Sequence, residues 1–307
     1  MGPSLFRALF RRGALLFLCT AALAQQADFS TAVKIVNVLV TVRDKQGQLV
    51  RGLAQDEFTL EEDGRKQVVR YFSPQAGQPL TIGLLVDVSG SQRTVLAEQR
   101  RASRQFLDQV LRKQQDQAFL VRFDRQVELL PNLTLPELDL KENGAQGTAL
   151  YDAIVFAARR IAGQAGRKAL IVLSDGYDTS SSSSLGAAIE TAQRADALVY
   201  PIRFLDRDVF KFEIPASQGG SPVPREGRKA LERIARETGG GYFDLTAAAT
   251  LEKIYARIED ELRNQYSLGY TPSFTPVNSR PGYRRIRISV KRKGLTVRAR
   301  DGYYSAE

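Results

Sequence analysis

The pattern that constrains this chain most is an alternation of short apolar runs with amphipathic segments between residues 81 and 264. Runs such as Ile82 to Val86 and Ala169 to Leu173 are short, apolar and rich in β-branched residues, which is typical of buried parallel strands. The segments that follow them have helical periodicity. This alternation predicts an α/β fold with a doubly wound, Rossmann-like, mostly parallel sheet covered by helices on both faces.

The periodicity also predicts where each element lies. The predicted strands are 81–87, 117–123, 126–130, 168–174, 197–204 and a short one at Tyr242-Phe243, and the predicted helices are 92–113, 149–163, 185–195, 226–238 and 247–264.

β-type patterns flank this α/β region on both sides. Alternation in residues 33–43 and 58–72 predicts three or four antiparallel strands within residues 30–74, and three more strand candidates follow at 265–270, 283–290 and 295–299. About 45 residues make a thin core on their own. We therefore expect the C-terminal strands to pair with residues 30–74 in one β-sandwich, with two independent β modules as the alternative.

Residues 1–24 have the three-part build of a secretory signal peptide. Three arginines precede an apolar stretch, and small residues precede a cleavage point after Ala24. The stretch is short for a membrane span, so a signal anchor is the weaker alternative. Lipoprotein attachment at Cys19 and twin-arginine export through Arg11 and Arg12 are weaker still. We expect export to the periplasm, the cell envelope or the medium, and no transmembrane helix in the mature chain.

Composition excludes several kinds of chemistry. The 307 residues contain no histidine and one cysteine, which removes Ser-His-Asp and Cys-His catalysis and histidine metal sites. Cleavage after Ala24 removes three arginines and no acidic residue, which lowers the formal charge from +10 to +7. The basic residues are dispersed except between Arg284 and Lys293, and export argues against a nucleic-acid partner.

The first candidate site follows the strand 81–87. Asp87, Ser89 and Ser91 come at its carboxyl end, where ligands bind in open α/β sheets. One carboxylate and two hydroxyls are hard oxygen ligands that suit Mg²⁺ or another hard divalent cation, such as Mn²⁺ or Ca²⁺. Taken alone, this D-x-S-x-S pattern is equally typical of turns and helix caps.

Two further clusters point to the same edge of the sheet. Thr148 lies in a glycine-punctuated loop before the helix 149–163, and Asp175 follows the strand 168–174. Each alone is explained by a cap or a turn. Together with the first cluster they predict one metal site, in which Ser89, Ser91 and Thr148 supply hydroxyls and Asp87 and Asp175 bind directly or through water.

These motifs resemble a known family. DVSGS (87–91), GTALYD (147–152) and LSDG (173–176) are similar to the metal-ion-dependent adhesion site, or MIDAS, of von Willebrand factor type A (VWA) domains. The flanking sequences resemble the exported acidobacterial "VWFA-related" family. Together with the residue patterns, the resemblance predicts a signal peptide 1–24, an N-terminal β segment 25–78, a VWA domain 79–264 and a C-terminal β segment 265–307.

The resemblance implies a function as well as a fold. It implies a non-enzymatic adhesion or protein-binding module whose cation takes an Asp or Glu carboxylate from a protein partner. Related domains also switch affinity by displacing their C-terminal helix, here 247–264. A metal-dependent hydrolase with Ser89 or Ser91 as nucleophile is one alternative, although the chain lacks a G-x-S-x-G elbow and a phosphate loop. A structural envelope protein with a merely stabilising metal is the other.

Overall fold

A computed structural model of the chain describes residues 35–74, 78–89, 96–112, 115–130, 147–204, 223–246, 249–273 and 282–305. All of them belong to one compact unit, Lys34–Glu307. The predicted signal peptide, 1–24, lies outside the described residues. The predicted domain boundaries at 79 and 264 fall just before a strand and just after a helix, and they stay predictions.

A six-stranded sheet forms the centre of the α/β region. Its strands are β5 (Leu80–Asp87), β6 (Gln117–Phe123), β7 (Val127–Leu130), β8 (Arg167–Ser174), β9 (Ala197–Arg203) and β10 (Phe243–Asp244). Their order is β10-β9-β8-β5-β6-β7, and every neighbouring pair is parallel except β6 with β7. This is the doubly wound order that places β5 and β8 side by side in the centre, and it confirms the predicted VWA-type fold class.

In the described part of the chain, five α-helices cover the two faces of this sheet. They are α1 (Leu96–Val110), α2 (Leu150–Ile161), α3 (Leu185–Arg194), α4 (Val223–Thr238) and α5 (Leu251–Arg263). Apolar residues from α1 and α5 pack with Leu84 of β5 on one face, and those from α2, α3 and α4 pack with Leu85 on the other. Successive strand residues point to opposite faces, so a continuously apolar strand such as β5 supplies both cores.

The N-terminal and C-terminal β segments form one sandwich. The N-terminal strands are β1 (Val36–Arg43), β2 (Phe58–Glu62), β3 (Arg65–Gln67) and β4 (Val69–Pro74), with a 3₁₀ turn at Gln55–Glu57. The C-terminal ones are β11 (Tyr266–Tyr270), β12 (Tyr283–Val290), β13 (Thr296–Arg298) and β14 (Gly302–Tyr304). The two sheets have the orders β13-β1-β11-β4 and β14-β12-β2-β3, so each one mixes strands from both ends of the chain.

One apolar core lies between these two sheets. It includes Val38 and Val40 of β1, Leu60 of β2, Leu268 of β11 and Ile286 of β12. The register joins distant parts of the sequence, with Val36 opposite Tyr270 and Leu60 opposite Ile288. The shared core confirms the single sandwich and excludes two independent β modules.

The helices are shorter than predicted at several ends. Helix α1 ends at Val110 rather than at residue 113. Just beyond this end, the Asp116 side chain accepts a hydrogen bond from the amide of Arg112. Helix α5 begins at Leu251 rather than 247, whereas α4 begins at Val223, three residues before the predicted start. Within the described ranges, no helix is long and apolar enough to cross a membrane.

A buried ionic cluster ties α5 to the sandwich. The Glu261 side chain of α5 is fully buried and accepts hydrogen bonds from Arg43 of β1, at 2.9 Å, and from Arg298 of β13. It also accepts one from the Tyr200 hydroxyl of β9, at 3.0 Å. The last helix of the α/β region, its sheet and the sandwich therefore meet at one carboxylate.

Candidate metal centre

The site lies where β5 and β8 end side by side. Val86 pairs with Leu173, so Asp87 at the end of β5 lies level with Ser174, the last residue of β8, and Asp175 follows directly. The loop just before α2, which carries Thr148, lies at the same edge of the sheet. Asp87, Ser89, Thr148 and Asp175 are all at most 5% exposed. The topology therefore brings four of the five predicted ligands to one buried edge of the sheet.

Asp87 is held by its neighbours on both carboxylate oxygens. The Ser89 amide donates to Oδ1 at 3.0 Å, and the Ser174 hydroxyl donates to Oδ2 at 2.7 Å. Burial raises the pKa of Asp87 to about 7, and the negative charge of Asp175 adds to the rise, while the hydrogen bonds from Ser89 and Ser174 oppose it. The ionised form of Asp87 is therefore one that a nearby cation would stabilise.

Asp175 lies in a turn whose next residue, Gly176, has no room for a side chain. The amide of Tyr177 donates to Asp175 Oδ1 at 3.0 Å, which closes the turn over Gly176. Gly176 has φ +90°, and a Cβ there would lie 2.4 Å from the carbonyl oxygen of Gly227 in α4. The sequence needs glycine here because the turn both adopts a left-handed conformation and touches the backbone of a helix.

Thr148 is positioned through its backbone. Its amide donates to the hydroxyl of Thr179 at 2.9 Å, and its carbonyl oxygen accepts from the amides of Thr179 and Ser180. The preceding Gly147 has φ +116° and would meet Ser180 Oγ if it carried a Cβ. The loop before α2 is therefore fastened to the loop after β8, which leaves the Thr148 side chain free of this backbone pairing.

The serine-rich segment 180–184 is hydrogen-bonded to this edge. Asp178 accepts hydrogen bonds from the amide of Tyr151 and the hydroxyl of Ser181, and Asp152 accepts from the amides of Ser182 and Ser183. These bonds cross between the start of α2 and the loop after β8. They attach the serine run to the start of α2 beside the candidate site.

The fifth predicted ligand, Ser91, lies outside the described residues. The ligand role of all five residues stays a prediction of the sequence. Within the described part of the chain, no three His, Cys, Asp or Glu side chains lie close enough together to hold a metal ion. A cation at this edge would thus depend on hydroxyl oxygens in addition to Asp87 and Asp175.

The residues present fit a hard divalent cation. Two buried carboxylates lie near enough for the charge of one to raise the pKa of the other, and the hydroxyl-bearing Ser89 and Thr148 are buried at the same edge. Oxygen ligands of this kind suit Mg²⁺, Mn²⁺ or Ca²⁺. Among the described residues, Asp87 forms no ion pair with a lysine or arginine that would compensate its charge instead.

Sequence reasoning missed two residues at this edge. Ser174 donates directly to Asp87, and Asp124, in the turn after β6, is only 2% exposed. Ser174 had a usable signal, because it ends a buried strand that runs parallel to β5. Asp124 had none, since an aspartate before a turn is a common surface residue.

Comparisons with known proteins yield structural likeness only. No protein-family model matches the chain, and no curated protein matches it. A likeness exists to the solved structure of an aerotolerance-related membrane protein from Bacteroides fragilis with multiple mutations to serines, at 18% identity and a TM-score of 0.43, covering 60% of this chain and 98% of that one. The conserved hypothetical protein BatB from Bacteroides thetaiotaomicron gives 17% identity and a TM-score of 0.44, covering 60% and 97%.

A third likeness is to proximal thread matrix protein 1 from the mussel byssus, in a structure described as having a zinc-occupied MIDAS motif. The identity is 13% and the TM-score 0.45, over 66% of this chain and 49% of that one. Because these TM-scores lie below 0.5 and the identities below 25%, the likenesses carry no weight for function.

Proposed function

We propose that this protein is a non-enzymatic binding module that captures a carboxylate of a protein partner at a divalent cation, with Mg²⁺ as the first candidate and Mn²⁺ or Ca²⁺ as others. The proposed ligands are the hydroxyls of Ser89 and Thr148, together with Ser91 from the sequence motif, and Asp87 and Asp175 bind the cation directly or through water. When bound, the cation supplies an electrophilic position for an Asp or Glu side chain, since neutral hydroxyls offset little of its charge.

The observation that carries the proposal is the pair of buried carboxylates at the edge of the sheet. Asp87 is fully buried, and its pKa is raised to about 7 first by that burial and then by Asp175. Burying two acidic groups this close together carries a cost of desolvation and repulsion that a bound cation would offset. The bonds from Ser89 and Ser174 fix the orientation of Asp87, as expected for a group held ready to bind.

The residue chemistry supports binding over hydrolysis. The chain has no histidine, which is the commonest general base, and its only cysteine is Cys19, inside the predicted signal peptide, so the predicted mature chain has no thiol nucleophile. The Ser174 hydroxyl is used as a donor to Asp87. We propose that the protein acts after export, in the periplasm, the cell envelope or the medium, as the sequence of residues 1–24 predicts.

The test is capture of envelope proteins by the purified mature protein with Mg²⁺ or with a chelator. Asp87→Ala is expected to abolish the Mg²⁺-dependent fraction, because it removes one of the two buried carboxylates. Asp56→Ala is the matched control, since Asp56 is exposed in the sandwich. Capture that is equal in Mg²⁺ and chelator, or that survives Asp87→Ala, contradicts the proposal.

Thermal melting separates binding from a purely stabilising metal. A cation that binds only the folded protein raises the melting temperature of the wild type, and this rise should vanish in Asp87→Ala. If the rise is present but no partner is captured, the metal is structural and the binding role is wrong.

A further inference from the structure

Asp124 is a buried acidic residue with a hydrogen-bond partner for only one of its two carboxyl oxygens. It is 2% exposed, and its Oδ1 accepts a hydrogen bond from the amide of Gln126 at 2.8 Å. Its Oδ2 is also buried, and this atom has no hydrogen-bond partner among the described residues. Leaving a carboxylate oxygen out of water and unpaired is costly, so the fold has reason to supply a donor at that point.

The backbone places Asp124 beside the candidate metal centre. Strand β6 runs parallel to β5 with Phe123 opposite Asp87, and the amide of Val88 donates to the Phe123 carbonyl oxygen at 2.9 Å. On its other side, the amide of Ala149 donates to the carbonyl oxygen of Asp124 at 2.6 Å. Asp124 is thus bonded between the residue after Asp87 and the residue after Thr148.

The ion pairs and acidic groups near Asp124 limit what the hydrogen-bond donor to its Oδ2 can be. Asp124 forms no ion pair within the described residues, so the missing partner is not a lysine or arginine of that part of the chain. No three acidic side chains there come close enough together to share a metal ion, so Asp124 does not join Asp87 and Asp175 in direct ligation. A water molecule is a donor of suitable size for this position.

A water bound to a divalent cation is a particularly good donor for an ionised carboxylate. Its oxygen faces the metal, so both hydrogens point outward, and the bond they make to a charged acceptor is stronger than one between neutral groups. Carboxylates in this position orient the ligands of a metal and add to its affinity.

We propose that Asp124 is a positioning residue of the metal centre, whose Oδ2 accepts a hydrogen bond from a water molecule bound to the cation. This inference rests on the proposed function, because it needs a cation at Asp87 and Asp175. It adds a third buried carboxyl group to the site and makes the turn between β6 and β7 part of it.

Calorimetric titration of the mature protein with Mg²⁺ and with Mn²⁺ tests the inference. Asp124→Asn keeps the shape of the side chain. Its one oxygen can still accept from the Gln126 amide, and its NH₂ group, a donor, then takes the place of the acceptor Oδ2. We expect cation affinity to fall about 10- to 100-fold. Asp56→Asn, an equal charge change at an exposed site, should leave the affinity unchanged.

Melting in chelator supplies a readout that a merely structural role would move in the opposite direction. Without metal, Asp124→Asn removes a buried carboxyl oxygen that has no donor, so its melting temperature should equal or exceed that of the wild type, while its gain on adding Mg²⁺ should be smaller. If Asp124→Asn does not fold, Asp124→Ser keeps an acceptor for Gln126, lacks the second oxygen and is expected to behave in the same way.

The possible results separate this inference from the proposed function. Wild-type affinity in Asp124→Asn, alongside lost affinity in Asp87→Ala, overturns the role of Asp124 and leaves the metal centre intact. An equal loss of melting temperature with and without metal, at unchanged affinity, shows a structural role only and also overturns it. Absence of cation binding in the wild type overturns both.

Discussion

Removal of the charge on Glu261 should destabilise the whole protein, because this carboxylate joins α5 to both the sheet and the sandwich. Its side chain is fully buried, and its partners Arg43 and Arg298 have side chains that are 14% and 30% exposed. Glu261→Gln keeps the shape and an acceptor for the Tyr200 hydroxyl. It leaves two largely buried arginines without their shared counter-ion.

The size of the effect follows from the exposure of the partners. Breaking a fully buried ion pair from one side costs about 3–5 kcal/mol. Water reaches both arginines in part, so we expect the lower end, about 3 kcal/mol. For a domain of this size that corresponds to a fall in melting temperature of about 6–12 °C.

Urea unfolding and thermal melting of Glu261→Gln, followed by two optical probes, would measure this. Glu252→Gln is the matched control: Glu252 lies on the same helix and pairs with Arg101, whose side chain is 68% exposed. The control should lose less than about 1 kcal/mol. A loss below about 1 kcal/mol for Glu261→Gln, or equal losses for both variants, would refute the reasoning that burial of the cluster makes it stabilising.

Two further predictions concern the α/β region. Burial acts to raise the pKa of Asp116, but hydrogen bonds, led by the one from Arg263, outweigh burial and lower this pKa. The stabilisation that ionised Asp116 gives to the folded protein is therefore present above the unfolded pKa of about 3.9, and it is lost as the pH falls through the folded-state pKa. The stability gap between wild type and Asp116→Asn in urea should therefore narrow in acid; a constant gap would contradict this. Gly176→Ala should cost about 2 kcal/mol more than Gly64→Ala and weaken Mg²⁺ binding in calorimetry. Both glycines have positive φ, but a Cβ at Gly176 would clash with the backbone of Gly227, whereas one at Gly64 meets nothing within 4 Å. Equal costs would show that the contact with Gly227 is unimportant.

Much of the fold was predictable from the sequence because its signals are local. The strands of the central sheet are continuous apolar runs, and each predicted strand there agrees with the structure to within one residue at either end. The candidate site could be located for the same reason. Asp87 and Asp175 directly follow or end apolar strands, and parallel strands of a doubly wound sheet carry such residues to one edge.

The ends of helices were less predictable. The helical pattern of α1 continues past Val110, but the helix ends there because the amide of Arg112 donates a hydrogen bond to the Asp116 side chain instead. Helix α5 begins at Leu251 although the apolar pattern extends further back. Which of several polar residues ends a helix depends on contacts from elsewhere in the fold.

The amino-acid sequence by itself therefore predicted the class of fold and the edge of the sheet for the candidate site, and four of the predicted residues lie together at that edge among the described residues. Only the tertiary structure decided which strands share a sheet, because alternation shows that one face of β1 is buried but not that β11, more than two hundred residues later, lies beside it. Likewise, Glu261 on an amphipathic helix and Asp124 before a turn have the sequence context of surface residues. Their burial, and the demands that a buried charge makes on its surroundings, arise only when distant segments close around them.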